Sequence, residues 1–372
     1  MRLAPTTLTD DELALQAEVR RYLDERLPFG SYPLGLGMTG DRDPAFSRDL
    51  GARGWLGMSL PTEYGGGGRT AVERLVVVEE LLARGAPVGH HWVADRQSGP
   101  NIAANGTEQQ KKEFLPGIAR GELSFSIGMS EPEAGSDLAA VRTKAVPDGD
   151  GWRINGLKTW TSGAAGATHI LALVRTSEDR HGGLTQFIVD RDTPGLTVSP
   201  IPFVDGTRHF CELRFDDVHV PDDRRLGEVG AGWSQNTGEL ALERGGVDRW
   251  MSLMAYLVHW ARHAGPAAEQ DLGAITAKLW AFRGLSLSVA RMVDQGLSPS
   301  VEAALVKEMA TRFEQECLAI VVRHLGRTPE LDSDDPYEAL LARAVLTAPS
   351  WTIRGGTNEI LRTVIMKGLA GK

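Results

Sequence analysis

The sequence is poor in cysteine, in net positive charge and in long apolar runs. Its two cysteines, Cys211 and Cys317, are not spaced as a CxxC pair, which argues against a disulfide framework or a zinc site. The 40 basic against 49 acidic residues give a net charge of −9, whereas nucleic-acid binding needs a basic surface. No apolar run reaches membrane-spanning length, and the N-terminus has no apolar signal core. We therefore expect a cytoplasmic protein without a membrane span, a nucleic-acid partner or a metal site.

The first third of the chain is predicted to be helical. The length of 372 residues is typical of two or three domains, and 42% hydrophobic content is that of an ordinary globular protein. Thr9 and Glu12 have the spacing of a capping box, and Leu15 and Val19 then fall on one helical face. We assign residues 1–120 to an N-terminal helical domain.

The middle of the chain, residues 121–225, has short β-rich runs separated by turns. Asp148-Gly149 and Asn155-Gly156 are dipeptides typical of hairpin turns. The strand-like runs are 169–176, 184–190 and 212–221. This pattern predicts a small, antiparallel β-barrel or sandwich domain.

Helical periodicity returns in residues 226–372. Apolar residues recur at helical steps at Leu240, Val247, Met251, Met254, Val258 and Ala261. Two further stripes follow, and Gly296 and Gly326 are expected to end helices. The fold class is therefore α+β, with a C-terminal four-helix bundle as the last domain.

Four motifs in order carry a resemblance to a known family. They are FSIGMSEPEAGSDLAAVRTKA (125–145), INGLKTWTSGA (154–164), FDDVHVP (215–221) and RGGTNEI (354–360). Together with the helical–β–helical order, they resemble the acyl-CoA dehydrogenase family over nearly the whole chain. The resemblance implies an FAD cofactor held between the β-domain and the C-terminal bundle.

Several cofactor and substrate residues follow from the resemblance. Met129 and Ser130 match positions that contact the pyrimidine side of the flavin, Trp160 the aromatic packed against it, and Ser162 the hydroxyl near N5. These types suit a buried ring system whose polar edge must be hydrogen-bonded. Ser136 matches a residue that contacts the CoA portion of the substrate.

Two residues of the last motif match positions near the phosphate and ribose end of the cofactor. These are Thr357 and Glu359, and the glutamate departs from the commoner amide.

The base expected from the resemblance is absent from its commonest position. Many members carry a glutamate just before the Gly-Thr of the C-terminal loop, where this chain has Gly355. The backbone N–H at this position remains, and in the family it binds the thioester oxygen together with the ribityl 2′-hydroxyl. The substitution thus removes the base and keeps the oxyanion donor.

Glu243 matches the alternative base position of isovaleryl- and long-chain-type members, just before an arginine, here Arg244. Its spacing from Leu240 and Val247 also places it on an apolar helical face, where burial would raise its pKa. The alternative is that Glu243 pairs with Arg249 or Arg354. We expect Arg244 to support the CoA portion of the substrate.

Two motifs of the homotetrameric members are missing, an Arg-x-x-Phe-Gly segment and a later Gln-(x)-x-Gly-Gly. In this respect the chain resembles an actinobacterial subgroup, some of whose members form α2β2 heterotetramers. A homo-oligomer or an α2β2 assembly with a paralogue therefore both remain open.

Three functions are consistent with the residues. The first is FAD-dependent dehydrogenation of an acyl-CoA or carrier-bound thioester to the 2-enoyl thioester, with electron-transfer flavoprotein or a similar acceptor. The second is a non-catalytic or half-site subunit, and the third a flavin monooxygenase on the same fold. Glu243, Arg244, Ser136 and Trp160 favour the first.

Overall fold

The computed structural model describes residues 3–371, without the side chains of residues 239–243. The chain divides into two compact units. The helical unit comprises Met1–Asp41, Arg69–Val88 and Leu240–Lys372, and the sheet unit comprises Arg42–Gly68 and Gly89–Glu239. The division into three domains drawn from sequence, with boundaries at 120/121 and 225/226, stays a prediction.

The helices follow one another along the chain as α1 (Asp10–Arg26), α2 (Pro44–Ala52), α3 (Ala71–Arg84), α4 (Gly99–Asn105), α5 (Glu108–Ala119), α6 (Gly232–Glu243), α7 (Met254–His263), α8 (Glu269–Asp294), α9 (Ser300–Leu325), α10 (Pro336–Thr347) and α11 (Asn358–Leu369). The strands are β1 (Phe125–Gly128), β2 (Lys144–Asp148), β3 (Gly151–Ser162), β4 (His169–Arg175), β5 (Leu184–Asp190), β6 (Leu196–Pro200), β7 (Phe210–Pro221) and β8 (Arg225–Leu226). Among residues 3–371, no helix is both long and apolar enough to cross a membrane.

The N-terminal helix α1 begins as its sequence predicts. Thr9 accepts a hydrogen bond from the backbone N–H of Glu12 (3.3 Å), and Glu12 accepts one from the N–H of Thr9 (2.9 Å). Leu15 and Val19 are buried. Glu12 also binds Arg291 of α8 (Oε1 to Nη1, 2.6 Å), so the capping carboxylate connects α1 to a helix of the same unit.

The sheet has eight strands in the order β6-β7-β3-β2-β4-β5-β8, with β1 pairing beside β4. Most pairs are antiparallel, but β1 and β2 pair with β4 in parallel. The hairpin predicted at Asp148-Gly149 joins β2 to β3, with Gly149 at φ +63°. The expectation of an antiparallel domain was therefore wrong for these two pairs. Parallel strands are not joined by a short turn, so the sequence carries no local signal of their pairing.

The turn predicted at Asn155-Gly156 is wrong. Both residues lie inside β3, at a shift in its register against β7. Gly156 has φ +151°, and a Cβ on it would lie 2.4 Å from Oγ1 of Thr143. Glycine is needed here for a β-bulge and for close backbone approach.

The long helix expected from Leu240 to Ala261 is interrupted. Helix α6 ends at Glu243, a single 3₁₀ turn covers Val247–Arg249, and α7 begins at Met254. Gly245 and Gly246, poor helix formers, lie at the break. Val247 is therefore not on the helix of Glu243, so the argument that Glu243 lies on a continuous apolar helical face fails. Only the family resemblance still supports its role as base.

Candidate active site

In the sheet unit, the two motifs expected to contact the flavin lie together. Met129 and Ser130 follow β1, and residues 158–162 end β3. The Lys158 ammonium donates to the Met129 carbonyl (3.0 Å), and the Thr159 N–H donates to the Ser130 carbonyl (2.9 Å). The backbone of the first motif is thus fixed by the second.

Trp160 is presented outward by a strained backbone. Its side chain is 55% exposed, and its φ is +57°, in the left-handed region that residues other than glycine rarely adopt. The register between β3 and β7 shifts between Lys158 and Thr161. The indole packs edge-to-face with the ring of Phe210, with the two ring centroids 6.1 Å apart. Bulges that re-aim side chains and residues held in strained conformations cluster at functional sites.

A buried hydroxyl and a hydrogen-bonded carbonyl follow Trp160 along the chain. The Thr161 hydroxyl is fully buried and has no hydrogen-bond partner within the described residues. The Ser162 carbonyl accepts a hydrogen bond from Ser126 (2.7 Å). An exposed indole next to hydroxyl and backbone groups fits a flat aromatic cofactor with a polar edge, such as the flavin of FAD.

A buried ion pair holds this site together. Nζ of Lys158 lies 2.8 Å from Oε1 of Glu131, which also accepts the N–H of Thr143 (2.9 Å), while its Oε2 accepts the N–H of Arg142 (2.6 Å). Burial lowers the pKa of Lys158 to about 8. Burial alone would raise the pKa of Glu131, but Lys158 and the backbone donors hold it below its ordinary value. The short Nζ–Oε1 distance and the two backbone donors to Glu131 are those of a charged, hydrogen-bonded pair.

Ser136 lies exposed in the loop that follows Glu131. Its predicted contact with CoA stays a prediction.

In the helical unit, the loop around Gly355 is held by cations. Gly355 and Gly356 have φ +68° and +89°. Nε of Arg244 donates to the Gly355 carbonyl at 3.2 Å. The structure therefore places Arg244 against the loop, and its predicted contact with CoA stays a prediction.

Arg354 anchors the peptide that carries the Gly355 N–H. Its Nη2 donates to the carboxylate of Glu314 (2.9 Å), the hydroxyl of Ser252 (2.7 Å) and the carbonyl of Asp248 (3.3 Å). The Ser252 N–H donates to the other oxygen of Glu314 (2.6 Å). Burial raises the pKa of Glu314 to about 7, although Arg354 and Ser252 act to lower it.

Arg249 and Arg354, the two arginines offered by the sequence as ion-pair partners for Glu243, both lie next to other carboxylates. Nε of Arg249 lies 3.1 Å from Oδ2 of Asp248, and both side chains are buried. Arg354 pairs with Glu314. The side chain of Glu243 lies outside the described residues, so its role as base stays a prediction.

Thr357 and Glu359 lie at the start of α11. The Thr357 side chain accepts the N–H of Ile360 (3.3 Å) and caps the helix. Glu359 is exposed, with its carboxylate 3.9 Å from Nη1 of Arg362. Their predicted contacts with the cofactor stay predictions.

The chain was compared with known proteins once this geometry was established. Residues 9–122, 126–218 and 230–370 match the N-terminal, middle and C-terminal domains of acyl-CoA dehydrogenases. The acyl-CoA dehydrogenase FadE29 of Mycobacterium tuberculosis is 33% identical over 375 residues, which cover 96% of each chain. The chain belongs to the acyl-CoA dehydrogenase family.

Solved structures of acyl-CoA dehydrogenases share the whole fold. The structure titled "Tcur3481-Tcur3483 steroid ACAD" is 32% identical, covers 100% of this chain and 99% of its own, and has a TM-score of 0.86. The ChsE4-ChsE5 complex of Mycobacterium tuberculosis is 30% identical, with coverage of 100% and 99% and a TM-score of 0.82. The family and the fold predicted from the motifs are thus confirmed, and the chain is an oxidoreductase of this family.

Sequence reasoning about this acyl-CoA dehydrogenase missed four buried charged residues, two in the sheet unit and two in the helical unit. Glu131 and Lys158 lie inside quoted motifs, but their separation of 27 residues gives no local signal of pairing. Lys307 and Glu314 do give one, because polar residues seven apart on α9 share a helical face.

Proposed function

We propose that the chain catalyses FAD-dependent α,β-dehydrogenation of an acyl-CoA or carrier-bound acyl thioester to the 2-enoyl thioester. The observation that carries this proposal is the outward, strained Trp160 fixed beside Met129 and Ser130. Strain of this kind persists only where the surrounding structure enforces it, and it is concentrated at ligand sites.

The residues toward the cofactor are Met129, Ser130, Trp160 and Ser162, which would hold the flavin ring. Thr357 and Glu359 are assigned to its phosphate and ribose end by the family resemblance. When bound, FAD supplies the acceptor for the hydride that leaves the substrate's β-carbon.

The chain's own residues act on the proton and on the thioester oxygen. Removing the α-proton leaves negative charge on that oxygen, so the barrier falls only if a donor is already aimed at it. We assign this donor to the backbone N–H of Gly355 and the proton acceptor to Glu243. Ser136 and Arg244 are assigned to the CoA portion.

The surroundings of Gly355 support its assignment as an oxyanion donor. The Arg354 side chain is held by Glu314 and Ser252, and Arg244 binds the Gly355 carbonyl. A donor fixed before substrate arrives needs no reorganisation as charge develops.

A half-site or heteromeric arrangement is the second candidate. The two regions that lack the family's arginine and glutamine motifs, residues 261–280 and 321–330, both contribute to the wall of one cleft of about 350 Å³ in the helical unit, which also contains His259. His263 comes from the first region and His324 from the second. The titles of two similar structures each name two proteins. We propose that the chain forms an α2β2 assembly with a paralogue and passes its electrons to electron-transfer flavoprotein or a similar acceptor.

Anaerobic mixing with a panel of acyl-CoAs tests the proposed reaction. The FAD-loaded chain, alone or with its paralogue, should lose its oxidised flavin absorbance and release the 2-enoyl-CoA, whereas free CoA should cause no change. A loaded protein that dithionite reduces but no acyl-CoA reduces would contradict the proposal. Oxygen uptake with formation of a hydroxylated product would favour the monooxygenase. Gel filtration with flavin quantitation distinguishes a homo-oligomer from α2β2.

A further inference from the structure

Helix α9 carries a buried polar stripe. Lys307, Thr311 and Glu314 are spaced by four and three residues, so they share one helical face, and all three are almost fully buried. A buried helical face is normally apolar, and lysine is rarely fully buried unless it is paired. Each of the three side chains bonds a residue between Arg354 and Asn358, so the stripe faces the Gly355 loop.

The Lys307 ammonium binds both ends of this loop. Nζ donates to the Thr352 carbonyl at 3.0 Å, the Gly356 carbonyl at 2.7 Å and Oδ1 of Asn358 at 2.8 Å. An ammonium has three donors, and these three acceptors match them. Two of the acceptors are carbonyls on either side of Gly355.

Asn358 is itself fixed. Its amide donates to the hydroxyl of Thr311 (3.2 Å) and to the carbonyl of Glu308 (3.3 Å). Its backbone N–H donates to the Thr352 carbonyl (3.0 Å), which also accepts from Lys307. The loop is therefore closed at its base by a buried cation and an oriented amide.

We propose that Lys307 is a positioning residue that sets the direction of the Gly355 N–H toward the thioester oxygen. This inference rests on the proposed function. Gly355 and Gly356 have no Cβ and are the most flexible residues available, so the turn needs outside contacts to keep one conformation. Stabilisation of an oxyanion depends steeply on donor geometry. Lys307 supplies the contacts on both sides of the turn.

If the role of Lys307 were purely structural, it would be to connect α9 to α11. Glu308 provides a matched control for that role. Glu308 also joins these helices, because its carboxylate accepts two hydrogen bonds from Arg362 (3.0 and 2.8 Å). No hydrogen bond of the Glu308 carboxylate to the loop is found among the described residues. Glu308→Gln therefore weakens the connection between the helices and leaves the loop contacts of Lys307 in place.

The test uses a 3-thiaacyl-CoA. Sulfur replaces the β-carbon of this thioester, so no hydride can leave, and the α-proton is acidic enough to ionise on a site that stabilises the enolate. The enolate is detected by long-wavelength charge-transfer absorbance against oxidised FAD. In Lys307→Met, the pKa of the bound ligand should rise by about one unit or more, which is about tenfold less enolate. Its Kd for the un-ionised ligand, measured below that pKa, should change less than about threefold, and Glu308→Gln should behave as wild type.

Flavin reduction gives a second measure in the same proteins. Lys307→Met should lower kcat by about 10–100-fold with little change in KM, because the lost interaction is one made in the transition state. Wild-type ionisation of the ligand in a folded, FAD-loaded Lys307→Met protein would overturn the proposal.

Two further measurements test the proposal if Lys307→Met does not fold or if the proposed reaction is not observed. Asn358→Ser removes one acceptor of Lys307 and should shift the ligand pKa in the same direction, and no shift would also overturn the proposal. Hydrogen exchange of loop residues 352–358 needs no ligand. Loop amides should exchange about tenfold faster in Lys307→Met than in Glu308→Gln, and equal rates would count against Lys307. A wild-type protein that binds the ligand without ionising it would contradict the proposed function and leave the exchange test of Lys307 valid.

Discussion

The guanidinium of Arg249 occupies the space into which a side chain at position 355 would project. A Cβ built on Gly355 would lie 2.9 Å from Nη2 and 3.1 Å from Cζ of Arg249. Arg249 is fully buried and paired with Asp248, so it has little freedom to move away. Gly355 also has φ +68°. Both the backbone conformation at position 355 and the packing of Arg249 against it therefore favour glycine over glutamate.

Gly355→Ala should destabilise the protein more than a substitution at another glycine with positive φ. Gly296 is the matched control, because it has φ +75° and nothing within 4 Å of a built Cβ. Gly296→Ala should cost about 1–2 kcal/mol from the backbone conformation. Gly355→Ala should cost about 1–3 kcal/mol more from overpacking against Arg249. Thermal unfolding measures both, and equal losses would show that Arg249 yields easily.

Glu243→Gln should slow flavin reduction by about 10²–10⁴ in stopped-flow experiments, because the side chain keeps its size but loses its proton acceptor. Glu239→Gln, one turn earlier on α6, is the control and should keep the wild-type rate. A wild-type rate in Glu243→Gln would place the base elsewhere.

Adding Gly355→Glu to Glu243→Gln should recover little of the rate. The new side chain must displace the guanidinium of Arg249, and residue 355 must keep its left-handed backbone conformation with a Cβ present. A recovery of about tenfold or more would mean that the loop can accept a base.

Lys158→Met should weaken FAD retention and lower stability. The change leaves the Glu131 carboxylate buried without its cation and releases the Met129 carbonyl. Breaking a buried pair costs about 3–5 kcal/mol, whereas neutralising both partners costs less, so Glu131→Gln should partly restore Lys158→Met. Lys144→Met is the control, because its ion pair with Glu178 is exposed, and its effect should stay within about 0.5 kcal/mol. Flavin release during urea unfolding measures FAD retention and stability in the wild type, Lys158→Met, the double variant and Lys144→Met.

Glu314 should make stability fall as pH rises from about 4.5 to about 7. Burial raises the pKa of Glu314 from its ordinary 4.5 to about 7 in the folded protein. In this window the folded state binds more protons than the unfolded state, so raising the pH favours unfolding, by up to about 3 kcal/mol. Urea midpoints between pH 5 and 8 should fall more steeply in wild type than in Glu314→Gln. Parallel slopes would mean that the carboxylate titrates normally.

Local signals were sufficient for much of the fold. Thr9 and Glu12 cap α1 as predicted, since a capping box involves only neighbouring residues. Asn155-Gly156 was misread because the same dipeptide suits a turn and a bulge, and the contact with Thr143 that decides between them is tertiary. A continuous helix from Leu240 to Ala261 was wrongly predicted because apolar residues recur at helical spacing on both sides of the break.

The candidate site was predictable where motifs carry it. Met129 and Trp160 were found by resemblance, and the structure brings their motifs together. The groups that hold them, such as Glu131 with Lys158, were not found, because partners far apart in sequence leave no periodic pattern. Lys307 could not be predicted as a loop contact because its acceptors Thr352 and Asn358 lie 45 and 51 residues later in the sequence.

The division of the helical unit into distant segments has a consequence for synthesis on the ribosome. Glu79 of α3 bonds Arg283 of α8 (2.6 Å) across 204 residues of sequence, and Glu12 of α1 bonds Arg291 (2.6 Å) across 279. At about 5–20 residues per second, α3 waits about 10–40 s for its partner to be made. All eight strands are complete by Leu226, before α8 exists. The nascent chain therefore carries α1 and α3, which pack on each other in the folded unit, without their ion-pair partners on α8 for most of its translation. A chain truncated before α8 would keep every strand yet leave Glu12 and Glu79 without these arginines, and it would expose the face of α3 that packs on α8, which is an aggregation hazard.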